Sequence, residues 1–158
     1  MDASEFRRVM GHFPTGVTVV TTRLPDGRPC GLTVNAFCSL SLDPPLVLVC
    51  VERDAESHAC ILEAGFFAVN VLGAGKGEML SRRFSSYGVE DKFAGVAYDE
   101  AVSGAPVLDA AIAWADCRLT DHHPGGDHTI FVGEVITGDA VDGLPLDYHR
   151  GGYGSFHP

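Results

Sequence analysis

Short apolar runs, each cut off by Gly or Pro, constrain this chain more than any other feature of its sequence. Residues 17–22 are Val or Thr throughout and precede the turn signal Pro25-Asp26-Gly27. Residues 31–37 resume an extended pattern. Asp43-Pro44-Pro45 then introduces residues 46–51, a continuous apolar run that reads as a strand buried on both faces. Further strands are expected at residues 66–72, 111–120 and 128–138, the last two separated by Pro124-Gly125-Gly126. Only three short helices fit the pattern. One covers about residues 3–11, where Asp2-x-x-Glu5 has capping spacing ahead of Phe6, Val9 and Met10, and Pro14 follows. The others span residues 57–64 and 76–84. Too few helices remain to cross over between parallel strands, so the expected fold is mainly β, a closed or nearly closed antiparallel sheet. A length of 158 residues suits one domain over 1–158.

Charge narrows the choice of partners. Lys and Arg number 11 against 21 Asp and Glu, a net charge of -10, which disfavours nucleic acid and anionic membranes, since both are held by clustered basic side chains. Residues 1–92 carry nine basic and eleven acidic side chains, whereas residues 93–158 carry only Arg118 and Arg150 against ten acids. An anionic ligand is therefore expected in the first part. Lys76, Arg82, Arg83 and Lys92 fall close together there, as either a phosphate grip or a solvated helix face. Five cysteines without a C-x-x-C pair suggest neither a disulfide framework nor a zinc site, and Cys50 reads as a small buried hydrophobe. The first residues lack a basic region followed by an apolar one, and the longest uncharged run, 29–42, is too short to span a bilayer. A soluble protein of the reducing cytoplasm is expected.

Common chemical motifs are missing. Gly73-x-Gly75-x-Gly77 does not have dinucleotide-fingerprint spacing, and the sequence holds no G-K-[ST], G-x-S-x-G or H-E-x-x-H. His122, His123 and His128 do not suggest a metal site, because adjacent strand residues face opposite ways. Two segments stand out. His128, in Gly126-Asp127-His128-Thr129, starts a strand; it either projects over the sheet edge into a pocket or is satisfied by its own loop. Residues 31–41 alternate small polar and apolar side chains, which suits either main-chain approach to a planar ligand or an edge strand facing water.

Five ordered blocks resolve these alternatives by resemblance. Pro14-Thr15-Gly16-Val17-Thr18-Val19-Val20-Thr21-Thr22, Gly31-Leu32-Thr33-Val34-Asn35-Ala36-Phe37, Ser41-Leu42-Asp43-Pro44-Pro45-Leu46-Val47, Phe67-Ala68-Val69-Asn70-Val71-Leu72 and Gly126-Asp127-His128-Thr129-Ile130-Phe131-Val132-Gly133 resemble the flavin reductase family of the FMN-binding split barrel. The match runs from Phe6 to Phe156. These are the small reductase components of two-component flavin-dependent monooxygenases. The resemblance implies a split β-barrel homodimer with flavin, FMN or FAD, near the subunit interface, NADH or NADPH as hydride donor, and a separate partner monooxygenase. It places Thr33, Val34, Asn35 and Ala36 along the isoalloxazine, mainly through main-chain groups, and Ser39 near the ribityl chain and phosphate. Glu52, Ser57 and His58 approach the same phosphate, and Arg82, Arg83, Phe84 and Ser85 close that end. His128 stands at the nicotinamide side as the catalytic residue, with Tyr148 and Tyr153 shaping the mouth. Cys38 departs from the pattern, since the family often has Ser there.

In such a site the two cofactors supply the chemistry and the protein stacks them in line, so no indispensable general base is expected. Main-chain donors stabilise negative charge around flavin N1 and C2=O. The acidic second part opposes a dianionic nicotinamide cofactor, which implies weak, salt-sensitive binding. Two other functions fit the same resemblance: a flavoprotein that keeps its FMN and reduces another acceptor such as ferric chelates, or a non-catalytic flavin carrier.

Overall fold

The computed structural model describes residues 1–156. Its elements in chain order are α1 (Ala3–Met10), β1 (Thr15–Gly16), β2 (Thr18–Arg23), β3 (Pro29–Val34), β4 (Phe37–Leu42), β5 (Pro45–Glu52), α2 (Glu56–Ala64), β6 (Phe66–Leu72) and α3 (Lys76–Ser85). They continue with β7 (Tyr98–Glu100), β8 (Pro106–Leu108), β9 (Ala111–Gly125), β10 (His128–Ala140), β11 (Leu146–His149) and β12 (Gly152–Ser155). The cap of α1 is as its sequence suggests, with Asp2 Oδ1 accepting from the Glu5 amide at 2.9 Å.

Seven strands form one antiparallel sheet in the order β3-β2-β6-β9-β10-β5-β4. Its two outermost strands, β3 and β4, are consecutive in sequence and joined by Asn35 and Ala36 alone. A two-residue link cannot cross the width of a seven-stranded sheet, because extended chain reaches only about 3.5 Å per residue. The sheet must therefore curl until its edges meet, which makes a barrel with a split at Asn35-Ala36. The Cys50 amide donates to the Ala36 carbonyl at 3.0 Å and holds the link to β5.

Inside the barrel pack Val20, Val34, Val49, Val51, Phe67, Val69, Cys117 and Phe131. A second core, with Val17, Val19, Leu72, Leu80, Phe84, Phe93 and Leu108, joins the outer face of the sheet to α3 and the β7–β8 hairpin. The strands buried on both faces are thus β2 and β6, not residues 46–51 as expected. In β5 burial alternates, with Val47, Val49 and Val51 inside and Leu46, Leu48 and Cys50 half-buried. Asn70, fully buried in β6, accepts from the Leu108 amide at 2.8 Å and donates to the Val19 carbonyl at 3.1 Å, pinning the small hairpin to the barrel.

Two further expectations are corrected. The β9–β10 hairpin runs past residue 120 to Gly125 and turns on Gly126 and Asp127, where Gly126 has φ 71°. Cys30 of β3 and Cys60 of α2 form a buried disulfide with a Cα–Cα distance of 6.5 Å, leaving Cys38, Cys50 and Cys117 free. A pair separated by 30 residues leaves no short-range spacing signal; packing of α2 against β3 brings it together. No helix among the described residues is long and apolar enough to cross a membrane.

Candidate functional site

A cleft of about 640 Å³ opens beside the split. One wall is the end of β3 and the link, Thr33, Val34, Asn35 and Ala36. Its other sides are Glu52 at the end of β5, Ser57 in the first turn of α2, Phe84 and Ser85 in the last turn of α3, Tyr87 just after it, and His128 at the start of β10. β3 is an outermost strand, so its outer edge offers main-chain groups rather than pairing with another strand. The side chains of this wall are mostly turned elsewhere: Thr33 Oγ1 donates to the Ser81 carbonyl at 2.7 Å, Val34 is in the barrel core, and Asn35 Nδ2 donates to Thr15 Oγ1 at 3.3 Å. What faces the cleft is backbone and the small Ala36, a surface on which a planar ring can lie.

His128 and Glu52 are direct cross-strand partners at one end of the cleft. His128 Nδ1 lies 2.7 Å from Asp127 Oδ1, and this hydrogen bond lowers the Asp127 pKa. The histidine thus lines the cavity and is held by its own turn, which joins both readings of the sequence. Tyr87 donates to Glu52 Oε2 at 2.9 Å, spanning the mouth; that bond raises the phenol pKa. Lys92 Nζ donates to the Phe84 carbonyl at 3.0 Å, and burial lowers its pKa. Tyr87 and Arg28 also line the cleft and were not assigned to it from sequence, whereas Lys92 was named there only as one member of the basic cluster. Arg28 has no signal, being one arginine in a turn 29 residues before Ser57; Tyr87 could have been suspected as an aromatic followed by Gly88.

Several expected residues are not brought into this cleft. Arg82 is bound through Nε and Nη2 to Glu78 at 2.9 and 2.8 Å and lies 4.9 Å over the Tyr153 ring. Arg83 donates to the carbonyls of Asp91 and Ala94. Helical spacing turns both away, so of the basic cluster only Lys92 lines the cleft. His58 Nε2 lies 2.7 Å from Thr129 Oγ1 and its ring packs on Phe131 at 5.2 Å; burial, then Arg53 and His122, lowers its pKa. Ser39 is exposed on β4 opposite Val47. Tyr148 and Tyr153 belong to the separate sheet β1-β11-β12, with rings 5.4 Å apart and the Tyr153 hydroxyl 2.9 Å from Ser81 Oγ.

Tyr148 instead lines a larger groove, of about 1290 Å³, on the other side of the split. Phe6, Met10 and Phe13 from the α1 region, with Phe37, Cys38 and Leu48 from β4 and β5, make it apolar. Asn35, Ala36 and Cys50 line both cavities and form the partition between them. Burial, with Cys38 second, pushes the Cys50 thiol pKa up, so Cys50 is a neutral half-buried wall residue rather than a thiolate nucleophile.

The model of the flavin reductase like domain matches residues 10–157. The reductase component of 4-nitrophenol 4-monooxygenase/4-nitrocatechol 2-monooxygenase from Rhodococcus opacus is 44% identical over 158 residues, 100% of this chain and 83% of that protein. A flavin reductase (NADH) from Kitasatospora aureofaciens is 46% identical over 157 residues, 97% of this chain and 81% of that protein. The solved NADH:FAD oxidoreductase of Streptomyces globisporus C-1027 superimposes with a TM-score of 0.91 at 42% identity, covering 99% of this chain and 89% of that one.

Proposed function

We propose, from the premise that this chain belongs to the flavin reductase like domain family, that it is an NAD(P)H-dependent flavin reductase acting as one domain over 1–158 and supplying reduced flavin to a separate monooxygenase in the cytoplasm. The observation that carries the reading is the convergence of Thr33, Val34, Asn35, Ala36, Glu52, Ser57, Phe84, Ser85 and His128 on one cleft. Reductases named among the relatives use NADH, and NADH is the expected donor here.

The fit to a flavin is visible in the chain itself. A backbone wall with small side chains accepts a flat ring, and Ser57, only 5% exposed, lines the same cleft. Hydride transfer from nicotinamide C4 to flavin N5 is chemistry the two bound cofactors supply. The outer edge of β3 and the link orient one ring through main-chain groups. His128, held by Asp127, would bound the space for the second ring, and the Tyr87–Glu52 hydrogen bond would border the same cleft. No residue of the cleft has to take up a proton for this work.

The test is NADH oxidation by the purified protein with and without added free flavin. Oxidation that depends on added flavin supports the reductase; oxidation without it, with ferric chelate as acceptor, supports a retained-flavin protein, and none at all a carrier. In His128→Ala, kcat/KM for NADH is expected to fall about tenfold, the cost of one positioning contact, with flavin binding kept. An unchanged kcat/KM for NADH, measured with flavin saturating, would remove His128 from the site.

We also propose that the chain works as a homodimer, with a second copy covering the apolar groove. α1 has no buried residue, and Phe6, Met10 and Phe13 are 56%, 52% and 72% exposed. Apolar surface gathered in this way marks a protein interface. Light scattering is expected to give twice the chain mass of 16.8 kDa; a monomer at micromolar concentration overturns this.

A further inference from the structure

The wall proposed to carry the flavin ring is held by few main-chain bonds. β3 pairs on one side only, with β2, and that ladder ends at Val34 opposite Thr18. Asn35 and Ala36 then carry the chain to β4, with the Cys50 amide on the Ala36 carbonyl. A strand end paired on one side and a two-residue link can shift sideways. Hydride transfer between stacked rings tolerates little of that, since a misplacement of about 1 Å can cost about a hundredfold. Something besides the ladder must fix the wall.

Its two polar side chains show what does. Thr33 and Asn35 both bond to residues outside the cleft, and both routes end on the small sheet β1-β11-β12. Thr33 Oγ1 donates to the Ser81 carbonyl at 2.7 Å, and Ser81 Oγ lies 2.9 Å from the Tyr153 hydroxyl of β12. Asn35 Nδ2 donates to Thr15 Oγ1 of β1 at 3.3 Å, and Thr15 is the cross-strand partner of Tyr148 in β11. Tyr148 in turn pairs with Tyr153 across β11 and β12, with rings 5.4 Å apart, which closes the circuit of contacts. Its joints are firm. Ser81 is fully buried and takes both bonds of its route, one on the carbonyl and one on the hydroxyl. The Arg82 guanidinium, fixed by two bonds to Glu78, lies 4.9 Å over the Tyr153 ring. Leu146 of β11, 3% exposed, shares a core with Leu80 and Phe84 of α3, so the small sheet is packed on that helix as well as bonded to it.

We infer that the small sheet positions the flavin-facing wall: Tyr153 acts through Ser81 on Thr33, and Thr15 acts on Asn35. Tyr153 and Thr15 are positioning residues, since neither lines the cleft. This rests on the flavin reductase reading and adds to it the residues that set the alignment of the ring.

The test compares the wild type with Tyr153→Phe, which removes the hydroxyl and keeps the ring under Arg82, with Thr33→Val, and with the double variant. Hydride transfer is followed in single turnover by the loss of flavin absorbance at saturating NADH, with FMN or FAD, whichever the wild type uses at the higher kcat/KM, and the KM for that flavin is measured alongside. Each single variant is expected to slow hydride transfer about fivefold, the worth of one hydrogen bond, with the flavin KM kept within about twofold. The double variant is expected to lose no more than either single one, because both cut the same route. Thr33→Ser, which keeps the donor, is expected to match the wild type. In the flavin-free protein, hydrogen exchange of amides 33–37 is expected to run about tenfold faster in Tyr153→Phe, with amides 128–134 unchanged. Unchanged transfer in both single variants overturns the inference. So do losses that multiply to about twenty-fivefold in the double variant, which separate Tyr153 from Thr33, and exchange that quickens across the whole barrel, which makes Tyr153 a general stability contact. Should either single variant fail to fold, Thr15→Val set against Thr15→Ser makes the same comparison through Asn35. A wild type that oxidises no NADH with either flavin removes the reductase reading itself, and the exchange measurement still decides whether Tyr153 holds the wall.

Discussion

Gly133→Val is expected to lower the melting temperature by more than about 10 °C or to leave the protein insoluble. Gly133 sits on β10 where a bulge shifts the register against β9. A Cβ added there would lie 2.6 Å from Phe67 Cζ and 2.8 Å from Cys117 Cβ. Both neighbours have 0% exposure, and Phe67 is among the largest fully buried side chains of the barrel. The ring therefore has nowhere to retreat without displacing Val49, Val69 or Phe131 in the same cluster. Overpacking of a tight core by one methyl group costs about 1–3 kcal/mol, and valine adds two more carbons on a branched, stiff side chain. A total of about 4 kcal/mol is a large part of the roughly 5–15 kcal/mol that holds a domain folded. At about 2–4 °C per kcal/mol for a chain of this size, the drop should be plain in thermal denaturation followed by circular dichroism. Gly133→Ala should fall between the two. A valine variant melting within about 2 °C of the wild type would show that the barrel interior is looser than its geometry.

Gly133 also illustrates what a sequence does not reveal. It stands in Phe131-Val132-Gly133-Glu134, an ordinary apolar strand with one glycine, and nothing local announces that Phe67, 66 positions earlier, fills the space above it. Local signals were legible: the Asp2 cap, the helix of α3, the strands β2 and β6, and the hairpin after residue 111 were all expected. Pairing partners were not. The polar stretch Asp121-His122-His123-Pro124 has no apolar alternation, yet it is strand because β10 supplies a ladder for it, His122 opposite Phe131 and Pro124 opposite Thr129. Pro124 is tolerated because β6, the other neighbour of β9, pairs only as far as Arg118. Residues 46–51 look buried on both faces since each is apolar, but burial depends on what lies across each face, and Leu48 and Cys50 look into the groove.

The candidate site divides in the same way. Residues that reach the cleft through the backbone, Thr33 to Ala36, were placed by the resemblance, and the structure gathers them because chain order alone sets their position. Long side chains were not so constrained. Arg82 sits four residues after Glu78, the spacing of a helical ion pair, and that contact, together with the Tyr153 ring, holds it outside. Lys92, also from the basic cluster, reaches the cleft because it follows the loop that folds back over Phe84. Charge proximity in sequence therefore located the right region but not the right groups. The disulfide from β3 to α2 and the Arg28–Glu56 pair belong to the same class of long-range contact.

Ala36→Phe is expected to reduce kcat/KM for flavin by at least about a hundredfold while leaving the melting temperature within about 2 °C. Ala36 is exposed, and its carbonyl is held by the Cys50 amide in the link that closes the barrel. It lines both the candidate cleft and the apolar groove. A phenyl ring there replaces the smallest side chain of the wall on which the isoalloxazine is proposed to lie, so substrate and phenylalanine compete for one space. A hundredfold loss corresponds to about 2.7 kcal/mol, comparable with the loss of a buried aromatic contact. The backbone is unaffected, because a residue in a link between two strands tolerates a larger side chain that can turn to solvent. Solution mass must be followed in parallel, since Ala36 also borders the groove assigned to the second copy. Loss of flavin turnover with mass and melting temperature kept places the flavin ring against Ala36. Turnover within threefold of the wild type would move the ring off this wall, and with it the argument that a backbone surface opened by the split is what selects a planar substrate.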